Sequence, residues 1–140
     1  GIVVDEVGSV GGLAGVFAAG DVANFPIPAH GKNTRVEHED HANMHGRTVW
    51  ANMAGAAQPY DHLPFFYSDL FDLGYEAVGE VDARLATVEH WDEPNRKGVV
   101  AYVDDARRPR GYLLWNVWDK VDAATERIRA GAPVDESSLV

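Results

Sequence analysis

The rhythm of apolar and polar positions changes near Tyr60. Before it, short apolar runs alternate with turn-forming residues. Ile2 to Val4 is a β-branched run that predicts a strand, and Val16 to Ala19 predicts a second. Between them Gly8 to Gly15, GSVGGLAG, reads as a loop, because no helix opens after it. The stretch FPIPAHGKNT, Phe25 to Thr34, carries two prolines and a glycine and predicts irregular structure, since proline removes a backbone donor. A helix is predicted from Glu37 to Met53. Glu37, Glu39 and Asp40 load its first turn with negative charge, Ala42, Val49 and Met53 share a buried stripe, and Gly55 stops it.

Beyond Pro64 the pattern becomes that of strands. Phe65 to Phe71 is aromatic and extended, and Tyr75 to Val81 alternates as a half-buried strand does. Leu85 to Trp91, Gly98 to Val103 and Gly111 to Val117 follow as three more, separated by turn residues such as Pro94-Asn95. Asp119 to Ala130 predicts an amphipathic helix with Val121, Ala124 and Ile128 on one face. Residues 131–140 read as a tail. The fold class is therefore α+β. Residues 1–60 form the remnant of an α/β domain, and 61–130 an antiparallel β-meander closed by a helix.

Composition narrows the class. With 140 residues and 46% hydrophobic positions, the chain can bury a core. Twelve basic against 22 acidic side chains give a net charge of −10, which disfavours nucleic acid and anionic membranes as partners. No cysteine is present, so structural disulfides, zinc-thiolate sites and a dithiol relay within this chain are excluded, as fits a cytoplasmic location. No apolar run approaches the ~18 residues of a membrane span. The chain opens on GIVVDE without an initiator methionine or an early helix, and is read as a fragment.

Two stretches carry candidate chemistry. GVFAAGDVANF, Gly15 to Phe25, brings Gly20 and Asp21 to the end of an apolar run, where open α/β sheets bind ligands. An aspartate capping a turn is the competing reading. RVEHEDHANMHGR, Arg35 to Arg47, gathers Glu37, His38, His41 and His45 around a helix start. Three readings compete there. The histidines at i, i+3 and i+7 share a face that a metal can use, although the spacing is not that of a His-Glu-x-x-His site. The segment also reads as a solvated polar helix start, or as a helix N-terminus aimed at an electron-rich ligand.

These two motifs are followed by PYDHLPFFYSDLFDLGYEAVGEV, KGVVAYVDD and GYLLWNVWDKV. In that order they resemble the C-terminal portion of FAD-dependent pyridine-nucleotide oxidoreductases of the apoptosis-inducing-factor type, relatives of putidaredoxin-type ferredoxin reductases and monodehydroascorbate reductases. The similarity runs from residue 1 to about residue 130. It implies that residues 1–60 are the C-terminal piece of an FAD-binding domain and 61–130 the C-terminal α+β domain. It implies that Gly20 lets the cofactor chain pass while Asp21 meets a ribityl hydroxyl. It implies that Glu37 and His38 sit by the isoalloxazine and nicotinamide as catalytic residues, with no metal. Relatives often place a Trp where this chain has Tyr67, and Glu76 corresponds to a glutamate close to the nicotinamide nucleotide.

The Gly-rich G-x-G-x-x-G turns that such enzymes need for FAD and NAD(P)H do not occur in this sequence. Both cofactors are therefore expected to require upstream segments. LLWNVW, Leu113 to Trp118, reads as core and interface aromatics. The implied activity is hydride transfer from NAD(P)H to FAD, with electrons passed to a ferredoxin or quinone-like acceptor. The implied partners are the remainder of the reductase chain, an electron-acceptor protein and a second copy of the chain. The alternative is a stand-alone, non-catalytic dimerisation or binding module, since a bare flavin wall exposes an apolar patch.

Overall fold

The first surprise of the fold is a strand through the proline-rich stretch. A computed structural model describes all 140 residues, which divide into two units, Gly1–Pro64 and Phe65–Val140. In the first, β1 (Ile2–Val3) pairs parallel with β2 (Ala23–Ile27), and β2 pairs antiparallel with β3 (Lys32–Thr34). Ala23, Phe25 and Ile27 alternate into the core. The expectation of irregular structure over 25–34 is thus corrected, and Pro26 explains how. Asn24 turns its carbonyl to β1 and accepts the Val4 N–H at 3.0 Å. Alternation turns Pro26 the same way, past the last paired residue of β1, so its missing N–H breaks no ladder bond.

The strand expected at Val16 to Ala19 does not form, and only a single bridge, Ser9 to Phe17, marks that stretch. The chain instead turns at Gly20–Val22 in one 3-10 turn and enters β2 directly. Helix α1 (Glu39–Met53) starts two residues later than expected, because Glu37 and His38 are still outside it and His38 is extended. Its buried stripe is His41, His45, Val49 and Asn52 rather than Ala42, Val49 and Met53. Met53 is 64% exposed. Asn52 is buried because it is saturated: Nδ2 donates to the carbonyls of Val7 and Gln58 at 2.9 and 2.8 Å, and Oδ1 accepts the Gln58 N–H at 2.7 Å.

The second unit holds β4 (Phe65–Leu70), β5 (Leu73–Gly79), β6 (Ala86–Glu93), β7 (Lys97–Val103) and β8 (Pro109–Trp115). All pairings are antiparallel and the spatial order is β4-β5-β8-β7-β6. Helix α2 (Val121–Ala130) packs on β5 and β8 with Ala124 and Ile128 inward. That closeness needs Gly79, whose φ is +80° and whose Cβ, if it had one, would stand 2.8 Å from Ile128 Cδ1. At one end of the sheet Asn116 ties two hairpins together. Its Oδ1 accepts the Gly74 N–H at 2.7 Å, and its Nδ2 donates to the carbonyls of Arg96 and Asp72 at 2.8 and 3.3 Å. Arg96 and Asp72 form an ion pair beside it. No helix in the chain is long and apolar enough to cross a membrane.

Residues 131–140, expected as a tail, fold back instead. Val134 is 2% exposed, its N–H donates to the Arg107 carbonyl at 3.0 Å, and its carbonyl accepts from Arg107 Nε at 3.1 Å. Asp135 and Ser138 then close a capping box around a short turn. Val134→Ala is expected to cost about 1–3 kcal/mol of stability in urea denaturation; an unchanged midpoint would mean that this segment is a tail after all.

Candidate functional site

In the first unit the site begins at Gly20, which has φ +69° and so occupies the left-handed region that glycine tolerates best. The 3-10 turn it opens lies against the first turn of α1: a Cβ on Gly20 would meet Ala42 at 3.8 Å. That is an ordinary contact, so the backbone angle, not steric exclusion by the protein, is what calls for glycine. The Asp21 carboxylate follows on the exposed side of the turn. Arg35 connects the parts, donating from Nη1 to the Asp21 backbone carbonyl at 3.2 Å and pairing with the Glu37 carboxylate. His38 stands at the N-cap of α1 and makes no side-chain cap there. Gly20, Asp21, Glu37 and His38 therefore converge on one helix start, where the backbone N–H groups carry partial positive charge.

Beneath this surface lies a sealed aromatic cluster. His41 stacks on Phe25 with centroids 4.6 Å apart and planes 14° from parallel, and His45 sits 4.4 Å from the Tyr60 ring. His41 Nδ1 and the Tyr60 hydroxyl are hydrogen-bonded at 3.0 Å, and His45 Nδ1 accepts the Gly20 N–H at 3.3 Å. An accepting Nδ1 in a neutral ring puts the proton on Nε2. Desolvation drives both histidines toward the neutral form: His41 is lowered from the usual 6.5, and His45 is lowered to about 4, with the neighbouring His41 adding to the effect. Burial likewise raises the Tyr60 hydroxyl, with Asp40 reinforcing it. At the rim His62 Nε2 meets Asp40 Oδ2 at 2.5 Å. The three histidines of the predicted i, i+3, i+7 face do not gather: His38 stays at the cap, and no group of three ligating side chains is placed to hold a metal ion.

In the second unit Tyr67 on β4 and Glu76 on β5 are direct cross-strand partners, so their side chains stand side by side on one face. Tyr67 is 58% exposed. Glu76 lines an open cleft of about 270 Å³ with Asp119, Val121 and Asp122. Its carboxyl is raised above the usual range, by desolvation first and by the Asp119 charge second. Leu113 to Trp118 behaves as core in part: Leu114 is fully buried and Trp115 stacks on Tyr75 at 5.7 Å, whereas Trp118 is 47% exposed.

Comparison with known proteins fits this geometry. The family described as apoptosis-inducing factor, mitochondrion-associated, C-terminal, matches residues 49–97. The chain is 35% identical over 124 residues to "Apoptosis-inducing factor 1, mitochondrial" of Dictyostelium discoideum, covering 81% of this chain and 23% of that protein. Its fold superposes on the crystal structure of Fdr9 with a TM-score of 0.84 and 30% identity, across 99% of this chain and 36% of Fdr9. By sequence and fold the chain is similar to the C-terminal region of apoptosis-inducing-factor-like proteins. It spans roughly a quarter to a third of the relatives it matches. The ferredoxin reductase for the CYP199A2 system from Rhodopseudomonas palustris shares the fold at a TM-score of 0.77 and 26% identity, over 98% of this chain and 33% of that one.

The sequence points to Gly20, Asp21, Glu37, His38, Tyr67 and Glu76, but not to Arg35 beside Asp21 and Glu37 or to Asp119 beside Glu76. The i, i+4, i+8 spacing of His41, His45 and Val49 was the available signal for the buried face. The buried imidazoles also make stability depend on pH. His45 has a lower pKa folded than unfolded, so the unfolded chain binds more protons between about pH 6.5 and 4, and stability falls as pH drops through that window. Urea denaturation is expected to show a loss of up to about 2 kcal/mol from His45 between pH 7 and pH 5, and His45→Phe should shrink the total loss to what His41 contributes.

Proposed function

We propose that this chain supplies one wall of the flavin site of an NAD(P)H-dependent oxidoreductase. The observation that carries the reading is the Gly20–Asp21 turn packed on the first turn of α1, with the carboxylate exposed and a helix N-terminus beside it. Bound FAD would supply the redox chemistry, accepting hydride from NAD(P)H and passing electrons to a ferredoxin or quinone-like acceptor. The donor set suits such a group: Asp21 accepts a hydrogen bond from a ribityl hydroxyl, and the α1 N-terminus favours negative charge at the flavin's pyrimidine edge. Arg35, held between the Asp21 carbonyl and Glu37, fixes the carboxylate of Glu37 next to His38. These two orient the isoalloxazine and nicotinamide.

On the second unit, Tyr67 offers an exposed ring on which a nicotinamide or flavin ring can pack. Glu76, with its raised pKa, offers a carboxyl that is more readily protonated than usual, and so able to donate a hydrogen bond to the nucleotide. The ferredoxin reductase from Rhodopseudomonas palustris supports a small electron-carrier protein as acceptor. We assign FAD and NAD(P)H binding to the chain together with upstream segments, in a homo-oligomeric reductase. A second reading, a non-catalytic association module, is favoured by the exposed Trp50 and Met53 on α1 and by Phe71, which is 98% exposed at the β4–β5 tip.

Visible absorption separates the two. In a reductase containing this chain, Asp21→Ala is expected to weaken FAD retention roughly tenfold, the cost of one lost hydrogen bond to a charged group. Unchanged flavin occupancy would rule out the assigned role. The 140-residue chain alone is expected to purify colourless.

A further inference from the structure

We propose that His45 is the positioning residue of the Gly20–Asp21 turn, its Nδ1 holding the Gly20 N–H and thereby setting where the Asp21 carboxylate is presented. The inference deepens the flavin reading and rests on it for the identity of the ligand. It begins with an orphan donor. The first N–H groups of a short helical turn have no partner within the turn. Gly20's own carbonyl is engaged, accepting the Ala23 N–H, so the turn is closed on its far side. Its N–H, on the near side, finds His45 Nδ1 at 3.3 Å across 25 residues of sequence.

The acceptor is held still by what surrounds it. His45 is completely buried, with Phe25 of β2 at 5.1 Å, His41 of the preceding helical turn at 5.0 Å and Tyr60 from the segment after α1 at 4.4 Å. Three rings from three segments fix the imidazole plane, and the plane fixes the direction of the lone pair. The charged and titratable groups that reach this cluster are Asp21, Asp40 and His62, which act on His41, and Tyr60, which is bonded to it. None of them forms an ion pair with His45, whose pKa is depressed by burial and by His41. A protonated His45 loses its Nδ1 lone pair, so the Gly20 N–H loses its acceptor and the turn is released.

The test compares His45→Phe, which keeps a ring and removes the acceptor, with His45→Asn, whose Oδ1 stands close to where Nδ1 was, in the 140-residue chain. Hydrogen exchange at the Gly20 amide is expected to accelerate roughly tenfold in His45→Phe and to stay near wild type in His45→Asn. In wild type the Gly20 amide shift should follow the His45 side-chain ¹⁵N titration as pH falls toward 4. That measurement decides the matter even where His45→Phe fails to fold. A Gly20 amide indifferent to both the substitution and the titration overturns the proposal. In the flavin-loaded reductase, His45→Phe should weaken FAD binding as Asp21→Ala does. Affinity lost in Asp21→Ala alone overturns the role of His45 and leaves the flavin reading standing. Affinity lost in neither overturns the flavin reading, with the Gly20 exchange result still deciding whether His45 holds the turn.

Discussion

The stacking of two imidazoles between Phe25 and Tyr60 organises the N-terminal unit. It joins the central strand of the small sheet, the ligand-side turn, the long helix and the segment that leaves it, all within a few ångströms. Each aromatic contact is worth about 0.5–1.5 kcal/mol beyond its burial. Direction matters more than magnitude here. A Leu in place of His45 could fill space, but it could not accept an N–H from a turn whose other end is already bonded. Burying a hydrogen-bonding ring costs desolvation, which, with the nearby His41, lowers the pKa of His45.

The second unit works differently. Its sheet is held by long antiparallel ladders and a helix seated on the two central strands, so the face that carries Tyr67 and Glu76 is set by register. A one-residue slip would send both to the opposite face. Asp119 comes to Glu76 from the loop ahead of α2, where its φ of +61° turns the chain into the helix. The acidic pairing there is tolerated because the cleft is open to solvent.

How far these features can be read from sequence depends on the range of the interaction. The five strands of the second unit announce themselves through alternation, and their limits move by only a few residues in the structure. β2 is hidden by Pro26, since its compatibility with a strand rests on where β1 ends. The buried face of α1 is hidden because His41, His45 and Asn52 count as polar until their partners are known. Val134 is hidden because one apolar residue between Pro133 and Asp135 carries no periodicity. The site shows the same division. Gly20-Asp21 and Glu37-His38 are adjacent pairs and can be seen as motifs, while the links from Arg35 to Asp21 and from His45 to Gly20 are contacts between distant segments.

Asn116 has a mechanical consequence. By gripping backbone groups of Asp72, Gly74 and Arg96 at once, with an ion pair alongside, it welds the tips of two hairpins that are not neighbours in the sheet order. The end of the sheet that bears the fully exposed Phe71 is thus braced from behind. A load applied at that ring, by whatever it meets, is shared with β6 and β7 instead of being absorbed by bending of the outer hairpin alone.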